Sequence, residues 1–241
     1  MADPPVLEAV DLTRLYPDGT GVRGARLRVY AGEIAALVGP NGAGKTTLLE
    51  ALAGRPPQPG RVRLLGTGHD RRRAFLKRLA YLPEARALPP FLAGRTAARL
   101  AEELWQQPGL YLRFLQEAAR LGLAEADLDR PARVLSQGTR EKLALALVFS
   151  REARLYLLDE PEAHLDPIVR NVLENRLAEL RAAGKAVLFA THDVYLAARL
   201  ADRILLVKDG RVRPSETKDP EAILAALTGG EEDERDPGPS A

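Results

Sequence analysis

The stretch Gly39-Pro40-Asn41-Gly42-Ala43-Gly44-Lys45-Thr46 constrains this chain more than any other. It has the spacing G-x-x-x-x-G-K-T. A strand is predicted at Glu33–Val38 just before it, and a helix from Gly44 to about Ala53, closed by Gly54. A strand, a glycine-rich loop and a helix in that order turn backbone N–H groups inward as an anion nest. The positive end of the helix reinforces the nest. Lys45 is placed to reach the β- and γ-phosphates of a nucleoside triphosphate. The Thr46 hydroxyl is placed to ligand Mg²⁺, and Thr47 to add a phosphate contact.

The rest of the chain agrees with a phosphate-binding α/β protein. Its 241 residues suit one large α/β unit or a core with a small subdomain. Hydrophobic residues at 46% and charged residues at 28% exclude disorder along the whole length. The absence of cysteine excludes a disulfide or thiolate metal site and fits the cytosol. Lys+Arg 35 against Asp+Glu 33 leaves a net charge of +2, which gives no broad nucleic-acid footprint. No window approaches 18 uncharged apolar residues, so any membrane spans are expected from another chain. The start, MADPPVLEAV, does not read as a secretory signal.

Strands are predicted at Val6–Val10, Ala25–Val29, Glu33–Val38, Arg61–Leu65 and Leu79–Leu82, with the Gly44–Ala53 helix as the one interruption of the first 83 residues. From about Ala85 to Arg151 the pattern turns helical, over Gly94–Gln107, Leu110–Leu121 and Gln137–Arg151, and reads as an inserted helical subdomain. Strands at Leu155–Leu158, Ala186–Ala190 and Arg203–Val207 then alternate with helices. One of these is opened by Asp166-Pro167 and closed by Gly184, and another spans Val194–Ala201. One α/β domain with its helical insertion is thus expected over residues 1–228, and residues 229–241 read as an acidic, disordered tail.

The run Leu155-Tyr156-Leu157-Leu158-Asp159-Glu160 is an apolar strand ending in two carboxylates. Beside a phosphate loop, Asp159 suits Mg²⁺, directly or through water, and Glu160 suits a general base that polarises the attacking water. The order phosphate loop, LSQGT, LLDEP, HLDP and THD, running from about Val6 to Arg213, resembles the nucleotide-binding subunit of ABC transporters. The resemblance implies a P-loop NTPase core with an antiparallel β subdomain and an inserted α-helical subdomain. ATP and Mg²⁺ are the implied cofactors.

It further implies that Leu135-Ser136-Gln137-Gly138-Thr139 is a signature motif that touches the γ-phosphate bound by another copy. A Ser136 cap and a helix N-terminus suit that contact. Two chains would close head-to-tail around two ATP molecules, as a homodimer or with a similar subunit. Leu165 and Asp166 resemble the loop that crosses that interface. His192 resembles the switch histidine that meets the γ-phosphate and Glu160. Tyr16 resembles the aromatic that stacks on adenine, and an ordinary half-buried tyrosine is the other reading. The partner implied is a polytopic membrane permease on a separate chain, with this chain peripheral on the inner, cytoplasmic face. A non-transport ABC ATPase on a soluble assembly is the alternative, and an unrelated P-loop kinase a weaker one.

Three positions depart from the family pattern. Gln137 and Thr139 replace the second glycine and the glutamine of the usual signature, while Ser136 and Gly138 remain. Glu84, in Tyr81-Leu82-Pro83-Glu84, stands where a glutamine is usual. A carboxylate there can still contact Mg²⁺ or the lytic water. Together with Leu135–Lys142 it resembles exporters of the ABC-2 type. Leu88-Pro89-Pro90-Phe91-Leu92 and Leu104-Trp105 read either as a docking patch or as the insertion's own core.

Overall fold

The computed structural model describes residues 3–58, 61–84 and 88–228. The tail predicted from residue 229 lies outside the described residues, as do 85–87 at the start of the helical insertion. The chain runs through β1 (Leu7–Leu15), β2 (Gly21–Val29), β3 (Ile34–Val38), α1 (Lys45–Leu52), β4 (Val62–Leu64), β5 (Thr67–Gly68), α2 (Arg72–Lys77) and β6 (Leu79–Leu82). The helical stretch comes next as α3 (Gly94–Trp105), α4 (Leu110–Arg120), α5 (Glu125–Leu128) and α6 (Gln137–Phe149). Strand and helix then alternate through β7 (Leu155–Asp159), α7 (Pro167–Ala182), β8 (Ala186–Thr191), α8 (Val194–Leu200), β9 (Arg203–Lys208), β10 (Arg211–Pro214) and α9 (Pro220–Thr228).

The strands form two sheets. One is four-stranded and antiparallel, in the order β2-β1-β4-β5. The other has the order β10-β9-β3-β8-β7-β6. All its pairs are parallel except the hairpin of β9 and β10. The strands β3, β7 and β8 are buried at every position, as expected where both faces of a parallel sheet are covered.

Side-chain alternation divides that sheet between two cores. Ile34, Ala36, Val38, Tyr156, Leu158, Val187, Phe189, Ile204 and Leu206 face one core, with Phe114, Leu143 and Phe149 of the helical stretch and Leu173 and Leu177 of α7. Ala35, Leu37, Leu155, Leu157, Leu188, Leu205 and Val207 face the other. They pack there with Leu48, Leu49 and Leu52 of α1 and the inner face of the smaller sheet. The helix after the phosphate loop is therefore packed between the two sheets.

The apolar residues read from the sequence as patch or core divide between the two. Leu88 and Trp105 pack against the core, and the Arg151 guanidinium lies 3.8 Å over the Trp105 ring. Phe91 and Leu104 stand out at 72% and 70% exposure.

Five elements depart from the sequence-based prediction: the short β5 and α5, and α2, β10 and α9. The first 83 residues hold a second helix, α2, in the Arg-rich stretch read only as a basic cluster. Phe75 is its single buried residue, so no apolar period could announce it. The edge strand β10 is Arg-Val-Arg-Pro, held by pairing with β9 rather than by buried side chains. Helix α9 anchors through Ile223 in a stretch whose polar flanks hid it.

Candidate functional site

Four adjacent parallel strands, β3, β8, β7 and β6, end on the same side of the sheet. Their ends carry the phosphate loop after β3, Thr191 and His192 at the end of β8, Asp159 and Glu160 at the end of β7, and Glu84 just past β6. Crevices beyond the carboxyl ends of parallel strands are where α/β proteins bind ligands.

The phosphate loop depends on two glycines. A side chain at Gly39 would place its Cβ 2.1 Å from the Val207 carbonyl oxygen, so the loop passes where only glycine fits. Gly44 caps α1 at φ 104°, a left-handed conformation that glycine alone adopts cheaply. Lys45 is buried, and its Nζ donates to the carbonyl oxygens of Gly39 (2.8 Å) and Pro40 (3.1 Å). Burial lowers its pKa, opposed by the charges of Glu160, Asp159, Glu84 and Glu162. A hollow of about 320 Å³ opens over the loop, bordered by Asn41, Gly42, Lys45, Thr46, Glu84 and Glu160 among others. Ala43 is buried under it, and the Ala43 N–H bonds the Pro40 carbonyl at 3.2 Å.

Asp159 is fully buried, and burial pushes its carboxyl up to about 6, against a hydrogen bond from Thr46. The same Thr46 hydroxyl oxygen lies 3.2 Å from Glu84 Oε2, so its single proton serves one of the two carboxylates at a time. Thr46, Glu84 and Asp159 thus converge, although 38 residues separate the first two. Glu160 sits at φ 43°, its N–H bonded to the Ala190 carbonyl at 2.9 Å. Its Oε1 lies 3.0 Å from Nδ1 of the exposed His192.

The motif Leu135–Thr139 lies elsewhere. Ser136 caps α6 by accepting from the Thr139 N–H at 3.2 Å, and its hydroxyl meets the Thr139 hydroxyl at 2.8 Å. Leu135 is buried and Gln137 exposed. No residue of this motif borders the hollow over the phosphate loop. Gln137 instead borders a neighbouring cleft of about 520 Å³, with Glu84, Glu160 and His164. Gln137 Nε2 donates to Glu141 Oε1 at 3.2 Å, and His164 Nδ1 lies 3.0 Å from the same oxygen. Leu165 is buried, and Asp166 caps α7 by accepting from the Val169 N–H at 3.0 Å. Tyr16 is 41% exposed, with the Arg14 guanidinium 5.3 Å over its ring. Its N–H bonds the carbonyl of Thr20, which borders the phosphate-loop hollow.

Residues the sequence did not single out complete the surroundings. Gly210 of the β9–β10 turn donates its N–H to the Ala43 carbonyl at 3.1 Å and packs against Gly21. Glu162 and Thr191 are buried and bonded to each other beside Glu160. No local pattern marks an acid in Pro161-Glu162-Ala163 as buried.

With the geometry in place, comparisons give the family. The profile described as ABC transporter matches residues 22–163. The cobalt import ATP-binding protein CbiO of Rhodobacter capsulatus is 40% identical over 222 residues, covering 86% of this chain and 77% of that protein. The Nod factor export ATP-binding protein I of Ralstonia nicotianae is 34% identical over 215 residues, covering 86% and 65%. A solved structure of an ATP binding subunit of an ABC transporter matches at TM-score 0.82 and 29% identity, over 93% of this chain and 95% of that one. The chain belongs to the ABC transporter ATP-binding family. It is an ATPase with the ABC ATPase fold, the ATP-binding motor subunit of a transporter.

Proposed function

We propose that this chain hydrolyses ATP to drive a permease carried on a separate polytopic membrane chain, and that the transport is export. The observation that carries the reading is the pairing of Glu160 and His192, 3.0 Å apart, across two adjacent strands that end beside the phosphate loop. The loop N–H groups over Gly39–Thr47 grip the phosphates, and Lys45 turns from its carbonyl partners to the β- and γ-oxygens. Tyr16 stacks on adenine. Glu160 takes the proton of the attacking water, and His192 holds the Glu160 carboxylate and meets the γ-phosphate.

Thr46, Asp159 and Glu84 offer one hydroxyl and two carboxylates, the hard oxygen donors that Mg²⁺ selects. A buried Asp159 whose charge is costly alone suits a cation beside it. Among the described residues no group of three or more His, Cys, Asp or Glu could hold a metal by itself. Such a site suits a cation shared with nucleotide phosphates. When bound, Mg²⁺ neutralises charge on the β- and γ-phosphates.

The Ser136-Gly138 end of α6 serves the ATP of a second copy, with Leu135, Gln137 and Thr139 framing it and Leu165 and Asp166 crossing the interface. Two copies, or this chain and a similar one, then close on ATP and open after hydrolysis. No helix of the described residues is long and apolar enough to cross a membrane. Peripheral attachment at the inner face through the permease is supported by the transporter relatives. Export is supported by Glu84 and by the Nod factor export relative. Import is the second reading, and the cobalt import relative favours it.

Two measurements on the tagged chain from its own cells test this. Glu160→Gln is expected to lower turnover at least about 100-fold while ATP stays bound. A pull-down from gently solubilised membranes is expected to recover a polytopic protein at comparable amount. Wild-type turnover removes Glu160 from the mechanism. Recovery of only soluble partners favours a non-transport ATPase, and transport assays on the recovered complex decide direction.

A further inference from the structure

Glu162 lies in the turn between β7 and α7 and is 4% exposed. Its Oε1 accepts a hydrogen bond from Thr191 Oγ1. Its Oε2 is buried with no hydrogen-bond partner among the described residues. Thr191, the last residue of β8, is itself fully buried, and its Oγ1 accepts from the Asp193 N–H at 2.9 Å. A chain of bonds therefore runs from the Asp193 N–H through the Thr191 hydroxyl to Glu162. It spans both sides of His192, whose own ring is exposed.

The same turn carries Glu160 in a left-handed conformation, at φ 43°. A non-glycine residue persists there only when its surroundings impose it. The tie to Ala190 through the Glu160 N–H secures one side of that residue, and the Glu162–Thr191 bond secures the other. A buried carboxyl with one oxygen unsatisfied destabilises the fold, so its presence here calls for a role beyond packing.

We infer that Glu162 is a positioning residue for hydrolysis, locking the Thr191–Asp193 turn to the 160–163 turn so that His192 and Glu160 face the same reacting water. The inference rests on the roles proposed above for Glu160 and His192. Burial raises the Glu162 pKa, so a neutral glutamine, which keeps an acceptor for Thr191, is its close substitute.

The test measures kcat and KM for ATP on the full chain with its partner, in five variants. Glu162→Ala and Thr191→Val are each expected to lower kcat about tenfold with KM unchanged, and the double variant to lose no more than either single. Glu162→Gln is expected to restore kcat to within about threefold of wild type. Several results overturn the inference: kcat within about twofold in Glu162→Ala and Thr191→Val, a loss confined to KM, a multiplicative double variant, or a glutamine as poor as alanine. If Glu162→Ala fails to fold, Thr191→Val, which removes one hydroxyl, decides by the same criteria. Glu160→Gln is the reference. If it turns over normally, the reading of the site falls together with the inference. If it is inactive while Glu162→Ala is not, only the inference falls.

Discussion

Gly39 opens the loop after β3 and Gly138 lies in the first turn of α6, and a methyl group added to each meets different surroundings. At Gly39 it would sit 2.1 Å from the Val207 carbonyl oxygen, deep between sheet and loop. At Gly138 the nearest atom is the His164 carbonyl oxygen at 3.9 Å, an ordinary contact. The contrast extends to the neighbours. Lys45 and Ala43 are buried around the first glycine, while Ser136 and Gln137 are exposed beside the second. Packing within the chain thus requires the phosphate-loop glycine. It makes no such demand of Gly138, which leaves that glycine open to the proposed contact with a second copy.

Substitutions can break this contrast, and they differ in the size of their effect on stability. Gly39→Ala is expected to cost roughly 3 kcal/mol or more, because backbone rather than a flexible side chain stands in the way. Urea unfolding measures it, and near-normal stability would mean that the loop is free to move. Asp159→Asn is expected to stabilise the nucleotide-free chain by about 2 kcal/mol at pH 8, since a buried charge is removed, while hydrolysis is lost. An unchanged midpoint would contradict the burial argument.

The far end of α1 provides a smaller effect with a pH signature. His69 is buried, with Nδ1 accepting from the Gln58 N–H at 2.8 Å and Nε2 3.1 Å from the Leu52 carbonyl oxygen. Burial lowers its pKa below 6.5, so the folded chain holds it neutral. The unfolded chain takes up the proton first as pH falls. Stability is therefore full above about 6.5 and declines below it, until the lowered folded pKa is reached. His69→Gln is expected to flatten that decline and to start roughly 1 kcal/mol lower at pH 8. An equal acid slope in both proteins would remove His69 from the explanation.

Gly138→Ala sharpens the contrast most. Alanine is the better helix former in the first turn of α6, so the isolated chain is expected to gain up to about 1 kcal/mol. Hydrolysis at low protein concentration is expected to fall all the same. A variant that is both more stable and fully active would mean that Gly138 serves no partner.

The legible parts of the molecule are those whose signals are local. Runs buried on both faces announced β3, β7, β8 and β9. Ser136 and Asp166 announced the starts of α6 and α7 by caps that the structure contains. Helix α2, with one buried anchor, and the arginine-flanked edge strand β10 carry no such signal. Within the site, the motifs named the residues but not their neighbours. That Thr46 meets Glu84, or that Glu162 meets Thr191, is a product of the order β3-β8-β7-β6, which brings together the ends of strands far apart in sequence.

The central claim is that one chain builds the phosphate-binding half of each site and another copy supplies the signature half. Mixing two inactive variants tests it most directly. Lys45→Ala disables the phosphate loop and keeps the signature end of α6, and Ser136→Arg does the reverse. Each alone is expected to be inactive, and their mixture to recover ATP hydrolysis, because a mixed pair contains one site with both halves intact. A mixture that forms mixed pairs yet stays inactive would contradict the account, as would full activity of the Ser136→Arg chain alone.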